Sequence, residues 1–131
     1  MERYKLWIDR AKSSYELSKA NISTIIYFED LCYQAQHAVE KSLKGFLIYF
    51  NVEPEFTHNI GKLLAELEKY VGIPDNIMEA MDLTYYAVQT RYPGEYDVIT
   101  KKEYENCLRI AKNCLDWVEC KLKDIENNKS K

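Results

Sequence analysis

Apolar side chains recur every three or four residues along most of this chain and nowhere alternate in twos over the length of a strand, so the pattern predicts helices throughout. Five can be placed. The first spans about Arg3 to Ala20, with Tyr4, Trp7, Ile8, Ala11 and Tyr15 at helical spacing. The second starts at a Ser23 or Thr24 cap and continues to about Phe50, carrying Phe28, Leu31, Cys32, Ala35, Ala38, Val39, Ser42, Leu43, Phe46, Leu47 and Phe50 on one broad stripe. Pro54 prevents its continuation. The third, from about Thr57 to Val71, turns Ile60, Leu63, Leu64, Leu67 and Tyr70 inward and closes at Gly72. The fourth, from Asp75 to about Thr90, presents Ile77, Met81, Tyr85 and Val88, and ends before Pro93. The fifth opens on Thr100-Lys101-Lys102-Glu103, a capping box, and its stripe runs through Tyr104, Cys107, Leu108, Ala111, Cys114, Leu115, Val118, Leu122 and Ile125.

Long helices with short connections favour antiparallel neighbours, which predicts an all-α, up-and-down four-helix bundle of helices one, two, four and five, with helix three as an additional short element. At 131 residues the chain has room for one core, so residues 1–126 are expected to form a single domain and 127–131 a frayed tail. A composition of 47% apolar and 30% charged residues fits a globular protein, and the net charge of -3 argues against bulk DNA binding, which draws on a basic excess. No apolar run is long enough for a signal peptide or a membrane span, so a cytoplasmic location is expected.

The four cysteines contain no Cys-x-x-Cys pair, and only His37 and His58 could join them, which leaves no zinc-ligand spacing; neither a metal nor a cofactor is expected. Cys32, Cys107 and Cys114 read as small core hydrophobes, like Cys120 on the same last helix.

Three cationic or ionisable positions of the second helix, His37, Lys41 and Lys44, stand at i, i+4 and i+7 and so share a face. With Arg91 nearby they would offer charge-assisted donors to a phosphate, and Tyr92 could stack on a base. The same lysines equally read as a solvated helix face, with His37 packed at a contact. His58, at the start of helix three, is either structural or a proton acceptor. Arg91, at the end of helix four in a Tyr-Pro turn, is either a phosphate fork or a partner for Glu95 or Asp97.

The stretch Tyr27–Leu67, the run Gln36-His37-Ala38-Val39-Glu40-Lys41-Ser42-Leu43-Lys44, the Thr57-His58 helix start and the Arg91-Tyr92-Pro93 turn together resemble the HEPN domain family over nearly the whole chain. The resemblance implies the same bundle, a homodimer, and a nucleotide- or RNA-interacting role beside a minimal nucleotidyltransferase partner in a toxin–antitoxin or defence system. Catalytic members carry an Arg followed, after four to six residues, by a His, for metal-independent RNA cleavage. The positions at that spacing after Arg91 are Tyr96, Asp97 and Val98, so ribonuclease activity is not the favoured expectation and no catalytic residue is assigned. A protein-interaction bundle is the alternative, and a ribonuclease with a degenerate site the third reading.

Overall fold

The computed structural model of the chain describes residues 2–20, 26–88 and 98–129, and these are helical with no strand among them. Helix α1 is Arg3–Ser18, α2 Phe28–Tyr49, α3 Ile60–Leu67, α4 Asp75–Met78, α5 Thr84–Val88 and α6 Lys101–Lys129, with a 3₁₀ stretch, Glu79–Leu83, between α4 and α5. The expected cap at Ser23 or Thr24 and the expected end of helix four at Thr90 lie outside the described residues.

Helix α2 occupies the centre and touches α1, α3, α5 and α6. Most of its stripe is buried as the sequence predicts, with Ala35, Ala38, Val39, Leu43, Phe46 and Leu47 fully enclosed and Phe28 and Phe50 partly buried at its ends. Burying each large side chain of this set contributes roughly 1.5–3 kcal/mol. Side-chain pairings set the directions. Ser14 meets Lys41 and Tyr4 meets Tyr49, so α1 is antiparallel to α2. Phe28 stacks on Tyr104 and Phe46 meets Trp117, so α6 is parallel to α2. Glu79 meets Arg109 and Tyr86 meets Cys107, so the α4–α5 segment is antiparallel to α6, completing the up-and-down order.

Where α1 crosses α2, Gly45 lets the helices approach: a Cβ there would stand 3.0 Å from the Trp7 Cβ and 3.2 Å from the Tyr4 carbonyl oxygen. Neither atom is the free end of a side chain, so α1 itself would have to move. Gly45→Val is therefore expected to lower stability by about 1–3 kcal/mol, read as a fall in the thermal midpoint. An unchanged midpoint would mean that α1 is not seated this closely.

Four local features differ from expectation. Helix α2 is stopped by Asn51 rather than by Pro54: Asn51 takes φ 64°, the Val52 amide donates to the Leu47 carbonyl at 3.0 Å, and the Asn51 amide to Ile48 at 2.9 Å. This is a Schellman end with asparagine in the left-handed position. Helix α3 begins at Ile60 with Asn59 as its cap, not at Thr57, and ends at Leu67 through a tightened turn, so Gly72 does not close it. In the fourth segment the 3₁₀ stretch, at three residues per turn, shifts the phase, so that Ile77, Ala80, Leu83 and Ala87 face inward while Met81 and Tyr85 are about half exposed. Helix α6 continues to Lys129, whose ammonium lies 4.9 Å from the centre of the Tyr49 ring.

The Thr100–Glu103 start forms one of its two expected bonds. The Glu103 amide donates to the Thr100 hydroxyl at 3.1 Å, while the Glu103 carboxylate accepts from that hydroxyl at 3.4 Å rather than from a backbone amide. Cys32, Cys107 and Cys114 are buried free thiols as expected, and Cys120 is exposed.

Candidate functional site

Along α2, Gln36, Glu40 and Lys44 follow one another at intervals of four and so form a polar ridge, which is sunk in an otherwise apolar face. Glu40 is 5% exposed. A buried carboxylate persists as an anion only where donors surround it, and here three do. Lys44 Nζ donates to Oε2 at 2.9 Å, Gln36 Nε2 donates to Oε1 at 3.2 Å, and His58 Nδ1 lies 2.8 Å from Oε1. Burial would raise the Glu40 carboxyl, but the bonds from His58 and Lys44 outweigh it and hold the group below its ordinary value.

His58 reaches this ridge because α3 starts late. Thr57 accepts the Asn59 amide at 3.1 Å, Asn59 Oδ1 accepts the Lys62 amide at 3.2 Å, and the His58 carbonyl accepts from Gln36 Nε2 at 3.2 Å. The segment is thus pinned to α2 by both the ring and the backbone of His58. A further tie links α3 to α5, where the Ile60 amide donates to the Thr84 hydroxyl at 3.1 Å. With Nδ1 turned to Glu40, Nε2 is the nitrogen His58 has left for a ligand or a proton, and its side chain is 56% exposed.

His37, one position along from the ridge, lies between the Tyr33 ring at 4.4 Å and the His58 ring at 6.2 Å between centres. Burial, joined by Lys41, His58 and Lys44, pushes its imidazole below the ordinary value against the pull of Glu40. Two imidazoles at this separation, one steadied by a buried carboxylate, can present donors or proton acceptors to a single phosphate-sized group.

The six residues singled out from the sequence are therefore divided. His37 and His58 come together at the surface. Lys44 belongs to the same cluster but faces inward, where its ammonium pairs with Glu40. Lys41 leaves the group for α1, donating to the Ser14 hydroxyl at 2.9 Å. Arg91 and Tyr92 lie outside the described residues, as do Tyr96 and Asp97. Among the described residues no cluster of three or more His, Cys, Asp or Glu side chains is arranged to hold a metal ion, and no helix is long and apolar enough to cross a membrane.

Sequence reasoning missed Gln36 and Glu40 as members of the site. The signal was present as Glu40 and Lys44 at i and i+4, since an acid four residues before a lysine on a helix that is buried for most of its length marks an internal pair.

Comparison with known proteins gives concordant results. The HEPN domain family model matches residues 4–121. A protein of Methanocaldococcus jannaschii described as "Putative toxin" is 27% identical over 136 aligned positions, covering 92% of this chain and 88% of that protein. The crystal structure of a Thermus thermophilus protein superposes with a TM-score of 0.80 at 29% identity, covering 91% of this chain and 98% of the other. That of an archaeal protein described as a HEPN homologue gives 0.74 at 26% identity, covering 92% and 98%.

Proposed function

The chain belongs to the HEPN domain family, and on that premise we propose that it is a small nucleotide- or RNA-interacting module, the toxin-like member of a toxin–antitoxin or defence pair. The M. jannaschii relative described as a "Putative toxin" supports the second half of this reading. A minimal nucleotidyltransferase protein is the proposed partner, and a homodimer the proposed working form.

The observation that carries the nucleotide reading is the pairing of His58 with buried Glu40 beside His37. An imidazole oriented by a buried carboxylate has one nitrogen committed and the other free for an outside acceptor. In this reading His58 and His37 meet phosphate oxygens, Lys44 supports them from beneath by neutralising Glu40, and Lys41 adds positive charge to the same stretch of α2. Arg91 contributes a guanidinium fork for phosphate, and Tyr92 a ring for a base.

The test is calorimetric titration of short single-stranded RNA into wild type and Arg91→Ala at moderate salt, with the RNA recovered and sized afterwards. Affinity is expected to fall roughly tenfold or more in the variant, the worth of a charged hydrogen bond. RNA recovered intact identifies a binding module. Cleavage that survives chelation and disappears in Arg91→Ala would instead make the protein a metal-independent ribonuclease. Absence of any RNA binding would sink the reading and favour a protein-interaction bundle, for which the exposed Leu6 and Leu17 of α1 provide an apolar edge.

A further inference from the structure

Beside the close crossing at Gly45, α1 and α2 leave a groove of about 310 Å³ lined by Leu6, Trp7, Arg10 and Lys41. The base of Trp7 is fixed, because its Cβ is wedged against Gly45. Its indole therefore leaves α1 from a rigid position. Leu6, half exposed, continues the apolar wall.

The groove also holds two cations that form no ion pair with a carboxylate among the described residues. Burial and then the Arg10 guanidinium both push the Lys41 ammonium below its ordinary value, the second effect showing that the two like charges sense each other. Lys41 donates to the Ser14 hydroxyl, and Arg10 forms no salt bridge among the described residues. Glu40, whose charge favours the Lys41 ammonium, has both oxygens occupied by His58, Gln36 and Lys44. On a chain with a net charge of -3, two adjacent cations that form no ion pair among the described residues mark a place where an anion from outside would relieve repulsion.

We propose that this groove binds a nucleoside monophosphate, with the phosphate ester on Arg10 and Lys41 and the flat base, joined to it through the sugar, against Trp7 and Leu6. A dianionic phosphate matches two cations better than a carboxylate does, and the guanidinium fork fits its geometry. An indole face accepts any base by stacking. The identification of the ligand as a nucleotide rests on the reading above; the anion groove itself does not.

Calorimetry with AMP, adenosine, inorganic phosphate and phenyl phosphate on wild type, Arg10→Ala and Lys41→Met tests the proposal. AMP is expected to bind wild type, more tightly than adenosine or inorganic phosphate, each of which supplies half the contacts. In each variant the AMP affinity should drop by roughly tenfold to a hundredfold. Because Arg10 is on the surface, an unchanged thermal melt for Arg10→Ala would tie the loss to the site and not to unfolding. AMP binding that ignores both substitutions overturns the groove, and RNA binding that still depends on Arg91 would leave the broader reading standing. Phenyl phosphate bound through Arg10 and Lys41 while AMP is refused would support the anion groove and overturn the nucleotide assignment. Failure of both AMP and phenyl phosphate to bind wild type would overturn the groove, whatever RNA does.

Discussion

Glu40→Leu is expected to cost about 3–5 kcal/mol, because it strands the Lys44 ammonium in a position only 10% exposed and removes the acceptor for both His58 and Gln36. The double variant Glu40→Leu/Lys44→Met should recover most of that loss, since removing both charges leaves no buried ion unpaired. Urea unfolding followed by circular dichroism at neutral pH measures both. A single-variant loss under about 1 kcal/mol would mean that the pair is better hydrated than its burial indicates.

The same carboxylate gives an acid dependence of defined sign. Its folded value lies below the ordinary 4.5, so on acidification the unfolded chain takes up the proton first. The stability it contributes is fully present above the ordinary value and is lost as pH falls through the folded one. His37, also lowered in the folded state, acts in the same direction from its ordinary 6.5 downward. Urea midpoints should therefore decline in two stages between neutral and strongly acidic pH, and Glu40→Leu should lessen the more acidic stage, leaving the part due to Glu53, whose bond from Arg3 also holds it below the ordinary value.

Phe46→Ala is the second large effect, expected at about 3–5 kcal/mol. Phe46 is fully buried, stacked on Phe50 at 5.2 Å and met edge-on by Trp117 at 5.6 Å between ring centres. Its removal empties the centre of the α2–α6 contact, where the neighbours are themselves rings and fill a vacancy poorly. Against a typical total of roughly 5–15 kcal/mol this would leave little margin. Trp117 reports the change, because its Nε1 is buried with no hydrogen-bond partner among the described residues and its emission should shift to the red as water enters. A loss below about 2 kcal/mol would show that α2 and α6 close over the gap.

Much of this architecture is legible in advance because burial of a helix is written in its spacing. The stripes of α2 and α6 predict their inner faces nearly residue for residue, and the resemblance to the HEPN family rests on runs that α2 and the start of α3 contain. The fourth segment is misphased by the helical pattern because a 3₁₀ turn changes the period from 3.6 to 3.0, and nothing in Glu79–Leu83 announces the change. The end of α2 near Phe50 is legible, but its cause is assigned to Pro54 because a proline is conspicuous, whereas an asparagine in the left-handed region is visible only in the backbone. In the site, the common face of His37, Lys41 and Lys44 follows from spacing alone. Spacing does not say which neighbour each side chain finds: Lys44 turns to an acid on its own helix and Lys41 to a hydroxyl on another. The contact of His58 with Glu40 spans 18 residues through an irregular segment, beyond the reach of any periodicity.

The parallel pairing of α2 with α6 has a consequence for the order in which the molecule can assemble. The α1–α2 hairpin closes over a short connection, but the bond from the Ile99 amide to Glu29 spans 70 residues and that from Tyr104 to the Ser18 carbonyl spans 86. Closing such loops costs entropy that only the finished contact returns. During synthesis, the hairpin therefore emerges with the Phe46 side of α2 still uncovered, and it must wait for the last helix of the chain to shield it. In that interval Phe46 and its neighbours lack the Trp117 side of α6 that later covers them.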